Sequence, residues 1–85
     1  MDRTYTADGF DKVFIGYVER HNCPLLAVYD KEKCFDILME DGEMTSSEAI
    51  EYFEYNVQGA YVGPGTPIYL EKCNIEYFRT LCDDN

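Results

Sequence analysis

The segment Thr45-Ser46-Ser47-Glu48 can start a helix and little else. A threonine followed three residues later by glutamate forms a capping box: the hydroxyl accepts from the Glu48 amide while the carboxylate reaches back to the Thr45 amide. Met44 and Ala49 occupy the two staple positions around it, and Ala49, Ile50, Phe53 and Val57 recur at helical spacing as the expected buried face. Gly59 is placed to stop this helix. Upstream, Asp30 is suited to cap an earlier helix in which Cys34, Ile37 and Leu38 form an apolar stripe, widened by Phe35 and Met39, with Asp41 on the same spacing. Gly42 is expected to end it in the left-handed conformation. Two helices joined by about five residues make an αα-hairpin.

The flanks read differently. Val13 to Val18 (VFIGYV) and Leu25 to Tyr29 (LLAVY) are β-branched and aromatic runs of strand length. The short polar link between them, closing on Pro24, favours an antiparallel hairpin. After the helices, Ala60 to Pro67 is a loop broken by Gly63, Pro64, Gly65 and Pro67, and Ile68-Tyr69-Leu70 is a short strand. Asn74 is placed to cap a last helix bearing Ile75, Phe78, Leu81 and Cys82. The order is β-β-α-α-β-α: an α+β domain spanning residues 1–85, with a small antiparallel sheet of about three strands and two to three helices on one face. Residues 1–12, with a turn at Ala7-Asp8-Gly9, are expected to be loosely held.

Several kinds of chemistry fit poorly. Gly63-Pro64-Gly65 lacks the basic residue and the following helix that a phosphate loop needs. The segment Glu40-Asp41-Gly42-Glu43 is too short for an EF-hand. The four cysteines, Cys23, Cys34, Cys73 and Cys82, contain no CxxC pair and read as free thiols. A zinc site built on His21 and Cys23, or a cysteine–histidine nucleophile pair, is a minor alternative. The expectation is a protein that is not an enzyme and holds no metal or cofactor. The longest uncharged apolar run, Cys23 to Tyr29, is far below the roughly 20 residues of a membrane span. The opening Met1-Asp2-Arg3-Thr4-Tyr5 is polar rather than secretory, so a cytoplasmic location is expected.

Charge carries the functional signal. The 38 residues between Lys33 and Lys72 contain eight acids and no base, in a chain of formal net charge -10. Such a field repels nucleic acid and anionic membrane and attracts basic surfaces. Glu48, Glu51 and Glu54 follow at i, i+3 and i+6 opposite the apolar face, and Asp36 and Glu40 lie one turn apart on the other helix. Carboxylates so spaced stand about 5–6 Å apart, near the roughly 6–7 Å between successive phosphates of DNA. Two readings compete: solubility together with the helix dipole, which accounts for Glu48 and in part Glu51, and imitation of a nucleic-acid backbone for a basic groove on another protein. The eight tyrosines either complete an undersized core or serve as interface anchors.

The stretch Ile37 to Tyr69 resembles a segment recurring in small uncharacterised proteins of bacteriophages and prophages. There a pattern close to ILM-x-x-DGM, then EA, then N-(V/I)-x-GAYVG-x-x-TP is found. The match includes Glu48, Ala49, Asn56, Gly59, Ala60, Tyr61, Val62, Gly63, Thr66 and Pro67. It departs by inserting Glu43 and by placing Pro64-Gly65 where a polar pair is usual. The resemblance implies a phage setting rather than a mechanism, and small acidic phage proteins include anti-CRISPR proteins and nucleic-acid mimics. Within the shared segment, Asn56 and Gly59 are expected to close the helix end and Tyr61 to pack against it. The leading expectation is therefore a host-protein binder using Asp36, Glu40, Glu43, Glu48, Glu51 and Glu54 with Tyr52 and Tyr55 as anchors, and no direct contact with nucleic acid or membrane. The alternatives are a homo-oligomeric phage assembly protein, at its simplest a homodimer, and, less favoured, a small enzyme or zinc protein.

Overall fold

The computed structural model describes residues 3–83. In chain order it contains a 3-10 turn at Asp11–Val13, β1 (Phe14–Val18), β2 (Leu26–Asp30), α1 (Lys31–Glu40), α2 (Ser46–Tyr52), a π-helical turn at Phe53–Gln58 that prolongs α2, β3 (Ile68–Leu70) and α3 (Ile75–Asp83). This is the α+β order expected.

The sheet runs β1-β2-β3, with β1 antiparallel and β3 parallel to β2. It is mixed, where a wholly antiparallel sheet was expected. A parallel neighbour needs a long crossover, and the helical hairpin plus residues 59–67 supply it. Directly paired residues share a face of a sheet, so the pairs Phe14–Tyr29 and Tyr29–Tyr69 place three aromatic rings together. Their centroids are 5.6 and 5.8 Å apart. Phe53 stands on this layer, edge-on to Tyr69 at 5.0 Å and to Phe35 at 5.1 Å. Tyr29, Cys34, Ala49 and Phe53 are sealed from solvent within one cluster that includes Phe10, Val13, Ala27 and Leu38.

The local start signals act as read. Asp30 accepts from the Lys33 amide at 3.2 Å, Thr45 and Glu48 exchange both capping-box bonds, and Asn74 accepts from the Tyr77 amide at 2.8 Å. The stop signals work otherwise. Left-handed backbone falls on Glu43 (φ 54), one residue beyond Gly42. Gly42 is needed instead for close approach, because a Cβ there would sit 2.7 Å from the Leu38 carbonyl oxygen. That carbonyl accepts from the amides of both Gly42 and Met44. Gly59 keeps right-handed angles (φ -78), and its Cβ would lie 2.7 Å from the Glu54 carbonyl oxygen. That carbonyl, five residues back at the start of the π turn, leaves position 59 room for hydrogen alone.

Four packing expectations also change. Ile50 is 42% exposed, because Ala49 and Phe53 already fill the contact with the sheet. Asn56 donates back to the Tyr52 carbonyl at 3.2 Å rather than to the departing chain. Tyr61 is 74% exposed and does not pack on the helix. α3 is amphipathic, yet none of its residues is buried.

The opening segment, expected to be loose, is tied down over its described part. Thr4 Oγ1 donates to the Leu25 carbonyl at 2.7 Å, the Tyr5 amide to Gly65 at 3.1 Å, and the Ala7 amide to the Tyr29 hydroxyl at 2.8 Å. Phe10 then enters the core. This strap crosses the sheet and closes against the loop before β3.

Candidate functional site

All eight expected contact residues lie at the surface. Their grouping is narrower than the sequence implied. Glu48, Glu51, Tyr52 and Tyr55 line one shallow depression of about 380 Å³, together with Met44 and Asn56. The spacing i, i+3, i+4, i+7 puts these four side chains on one side of the helix, turned away from Ala49 and Phe53. Glu54 falls outside this depression, as do Asp36, Glu40 and Glu43. Asp36 and Glu40 are on the side of α1 opposite buried Cys34 and Leu38. Glu43 stands in the turn between the helices.

No basic residue lines the depression. Among the described residues the ion pairs are Lys31–Glu71 at 2.8 Å and Lys72–Asp30 at 4.0 Å, so none of the six candidate acids is paired. Glu48 has a second attachment. Its carboxylate accepts from the Thr45 backbone amide at 2.9 Å, and this bond, reinforced by the Thr45 side chain, holds its pKa below the ordinary value. The charge at this corner of the site is therefore kept in place and ionised. Tyr55, 76% exposed, and half-exposed Tyr52 border it with aromatic surface.

A larger cavity of about 620 Å³ adjoins the first, sharing Tyr52 and Asn56 with it. Its walls are the strap from Tyr5 to Phe10, the end of α1, the π turn and the loop before β3. Asp8 and Asp41 are its only charged lining residues. Sequence reading missed this cavity because the strap that walls it carries no periodic signal. The π turn beside it was also illegible, although such turns collect at functional sites.

The sulfur and imidazole groups are scattered. His21 is exposed and Cys23 half-buried in the β1–β2 turn. Among the described residues no group of three or more His, Cys, Asp or Glu side chains is arranged to hold a metal ion. Cys34 is buried, and burial, aided by the nearby charge of Asp30, pushes its thiol up to about 11. That is the opposite of an activated nucleophile. Burial likewise raises the Tyr69 hydroxyl to about 12. No helix among the described residues is long and apolar enough to cross a membrane.

No family model matches this chain, and no similar protein was found among curated proteins or solved structures.

Proposed function

We propose that this chain is a non-enzymatic protein of phage type that binds a basic surface on a host protein through its acidic helical hairpin, as an inhibitor of host defence of the anti-CRISPR or nucleic-acid-mimic kind. The observation that carries the reading is the depression on α2. Two unpaired glutamates and two exposed tyrosines converge there with no basic neighbour. A carboxylate pair flanked by rigid aromatic rings is suited to arginine- and lysine-bearing surfaces, through charge and through cation–π contact. Asp36, Glu40, Glu43 and Glu54 extend the field around this centre, steering a basic partner toward it.

The test is capture from bacterial host lysate at low salt, run in parallel with a Glu48→Lys/Glu51→Lys variant. The expected result is a nucleic-acid-binding protein that elutes as salt rises and is lost by the charge-reversed variant, with affinity reduced at least roughly ten-fold. A partner held unchanged in molar salt, or captured equally by the variant, contradicts the reading.

A further inference from the structure

The cavity of about 620 Å³ walled by the strap has the size and the lining of a small-molecule site. Such sites span roughly 300–1,000 Å³ and combine mostly apolar and aromatic walls with a few polar groups. Here Phe10, Ile37, Leu38, Val57, Val62 and Pro67 supply apolar surface, and Tyr5, Tyr52 and Tyr69 supply rings.

Its polar groups ask for positive charge. Asp8 and Asp41 line it with no basic residue beside them, and among the described residues neither carboxylate has an ion-pair or hydrogen-bond partner. Asn56 donates its side-chain amide to the Tyr52 carbonyl, which leaves Asn56 Oδ1 as a further acceptor. Asp41 is also the C-cap of α1, whose last turn holds no base. The carbonyl end of a helix carries partial negative charge, so it favours a cation and disfavours a carboxylate. Asp41 and the α1 dipole therefore add to one negative potential, and Asp8 strengthens it from the strap. The rings are not equally open. Arg3 already lies 5.3 Å over Tyr5 and Tyr29 stacks on Tyr69, whereas Tyr52 is 43% exposed and free to meet a cation through its π face.

We infer that this cavity binds a small organic cation: an apolar or aromatic body seated on the walls, with a protonated amine met by Asp8 and Asp41. An anion of the same shape is repelled by both carboxylates, and a neutral one leaves them unanswered. Neither aspartate lines the depression of Glu48 and Glu51, so this assignment and the host-protein reading can fail separately.

The probes are tryptamine, tryptophol and indole-3-propionate, which share one ring system and differ in charge. Each is titrated into the isotope-labelled full chain at near-physiological salt and followed by amide NMR shifts. Tryptamine is expected to saturate with Kd of about 1 mM or tighter, moving the amides of Ala7, Asp8, Gly42 and Asn56. Tryptophol should bind at least about ten-fold more weakly and indole-3-propionate more weakly again. A chain of net charge -10 attracts any cation, so spermidine, with more charge and no ring, is the control and should not reproduce these shifts. Asp8→Asn/Asp41→Asn is expected to weaken tryptamine about ten-fold while tryptophol stays within about two-fold, showing the cavity intact. Asp8→Asn alone serves if the double variant does not fold. Tryptamine without saturation by about 10 mM, or no tighter than tryptophol, overturns the inference. So do equal shifts from spermidine, shifts centred on Glu48 and Glu51, or an affinity unchanged in the variant. Binding of N-acetylarginine amide in place of tryptamine also overturns it, assigning the cavity to a side chain of a protein partner.

Discussion

Gly65→Ala tests whether the strap from Arg3 to Phe10 is part of the folded protein. Gly65 is buried, and a Cβ built there falls inside van der Waals contact of the Arg3 carbonyl oxygen. It also lies 2.8 Å from the Arg3 carbonyl carbon and 3.1 Å from Thr4 Cα. All three are backbone atoms of the strap, so no flexible side chain can move aside. The protein has two responses. The strap can stay and hold the overlap, at the cost of overpacking, about 1–3 kcal/mol. Or it can swing out and give up the bonds of Thr4, Tyr5 and Ala7 to Leu25, Gly65 and Tyr29, at about 1 kcal/mol net each. The two routes cost about 1–3 and about 3 kcal/mol, either one a large fraction of the stability of a domain this small, on the order of 5 kcal/mol. Gly9→Ala is the comparison. Gly9 has φ 89 but nothing within 4 Å of its Cβ position, so it bears conformational strain alone, about 1 kcal/mol. Urea unfolding followed by circular dichroism measures both, and hydrogen exchange at the Tyr5 and Ala7 amides reports the strap directly. A Gly65→Ala protein that unfolds within about 0.5 kcal/mol of wild type, with the Tyr5 amide still protected, would refute the docked strap.

Two more outcomes follow from the capping box and the buried thiol. Thr45→Ala removes the hydroxyl that accepts from the Glu48 amide but keeps the backbone amide that donates to the Glu48 carboxylate, and should destabilise the fold by about 1 kcal/mol; the Glu48 pKa, followed by carboxyl NMR titration, should rise only part of the way toward its ordinary value, since the backbone bond is the larger cause of its depression. Because the folded pKa of Glu48 is depressed, its contribution to stability is present above the unfolded carboxylate pKa and is lost as pH falls through the folded one. The urea midpoint should therefore drop on acidification less steeply in Thr45→Ala than in wild type. Cys34 and Tyr69 have raised folded values, about 11 and about 12. Their contribution is complete below the unfolded pKa values and lost as pH rises through the folded ones, so stability should decline through this alkaline window. Iodoacetamide at mildly alkaline pH should modify exposed Cys73 well before Cys34, as read by mass spectrometry of timed samples; labelling of Cys34 at a comparable rate would contradict its burial.

The candidate site was partly legible in the chain. Glu48, Glu51, Tyr52 and Tyr55 could be placed together because helical spacing is a local property. That Glu54 parts from them, and that Asn56 joins them to a second cavity, depends on a π turn with no marker in composition. Asp8 and Asp41 were hidden for another reason. They lie on either side of a cavity whose walls come from residues more than thirty positions apart.

Sequence alone determined where the helices begin and in what order the elements follow, because a cap or a staple acts over three to five residues. Asp30, Thr45, Glu48 and Asn74 needed no distant partner to do this. The tertiary structure decided how those elements meet. It made β3 parallel to β2, assigned Gly42 and Gly59 to close approach rather than left-handed helix ends, packed Gly65 against the strap, left Ile50 in solvent and fastened the opening strap to Leu25, Tyr29 and Gly65. Each of these outcomes depends on which backbone or ring arrives from elsewhere in the chain, and short-range periodicity carries no record of it.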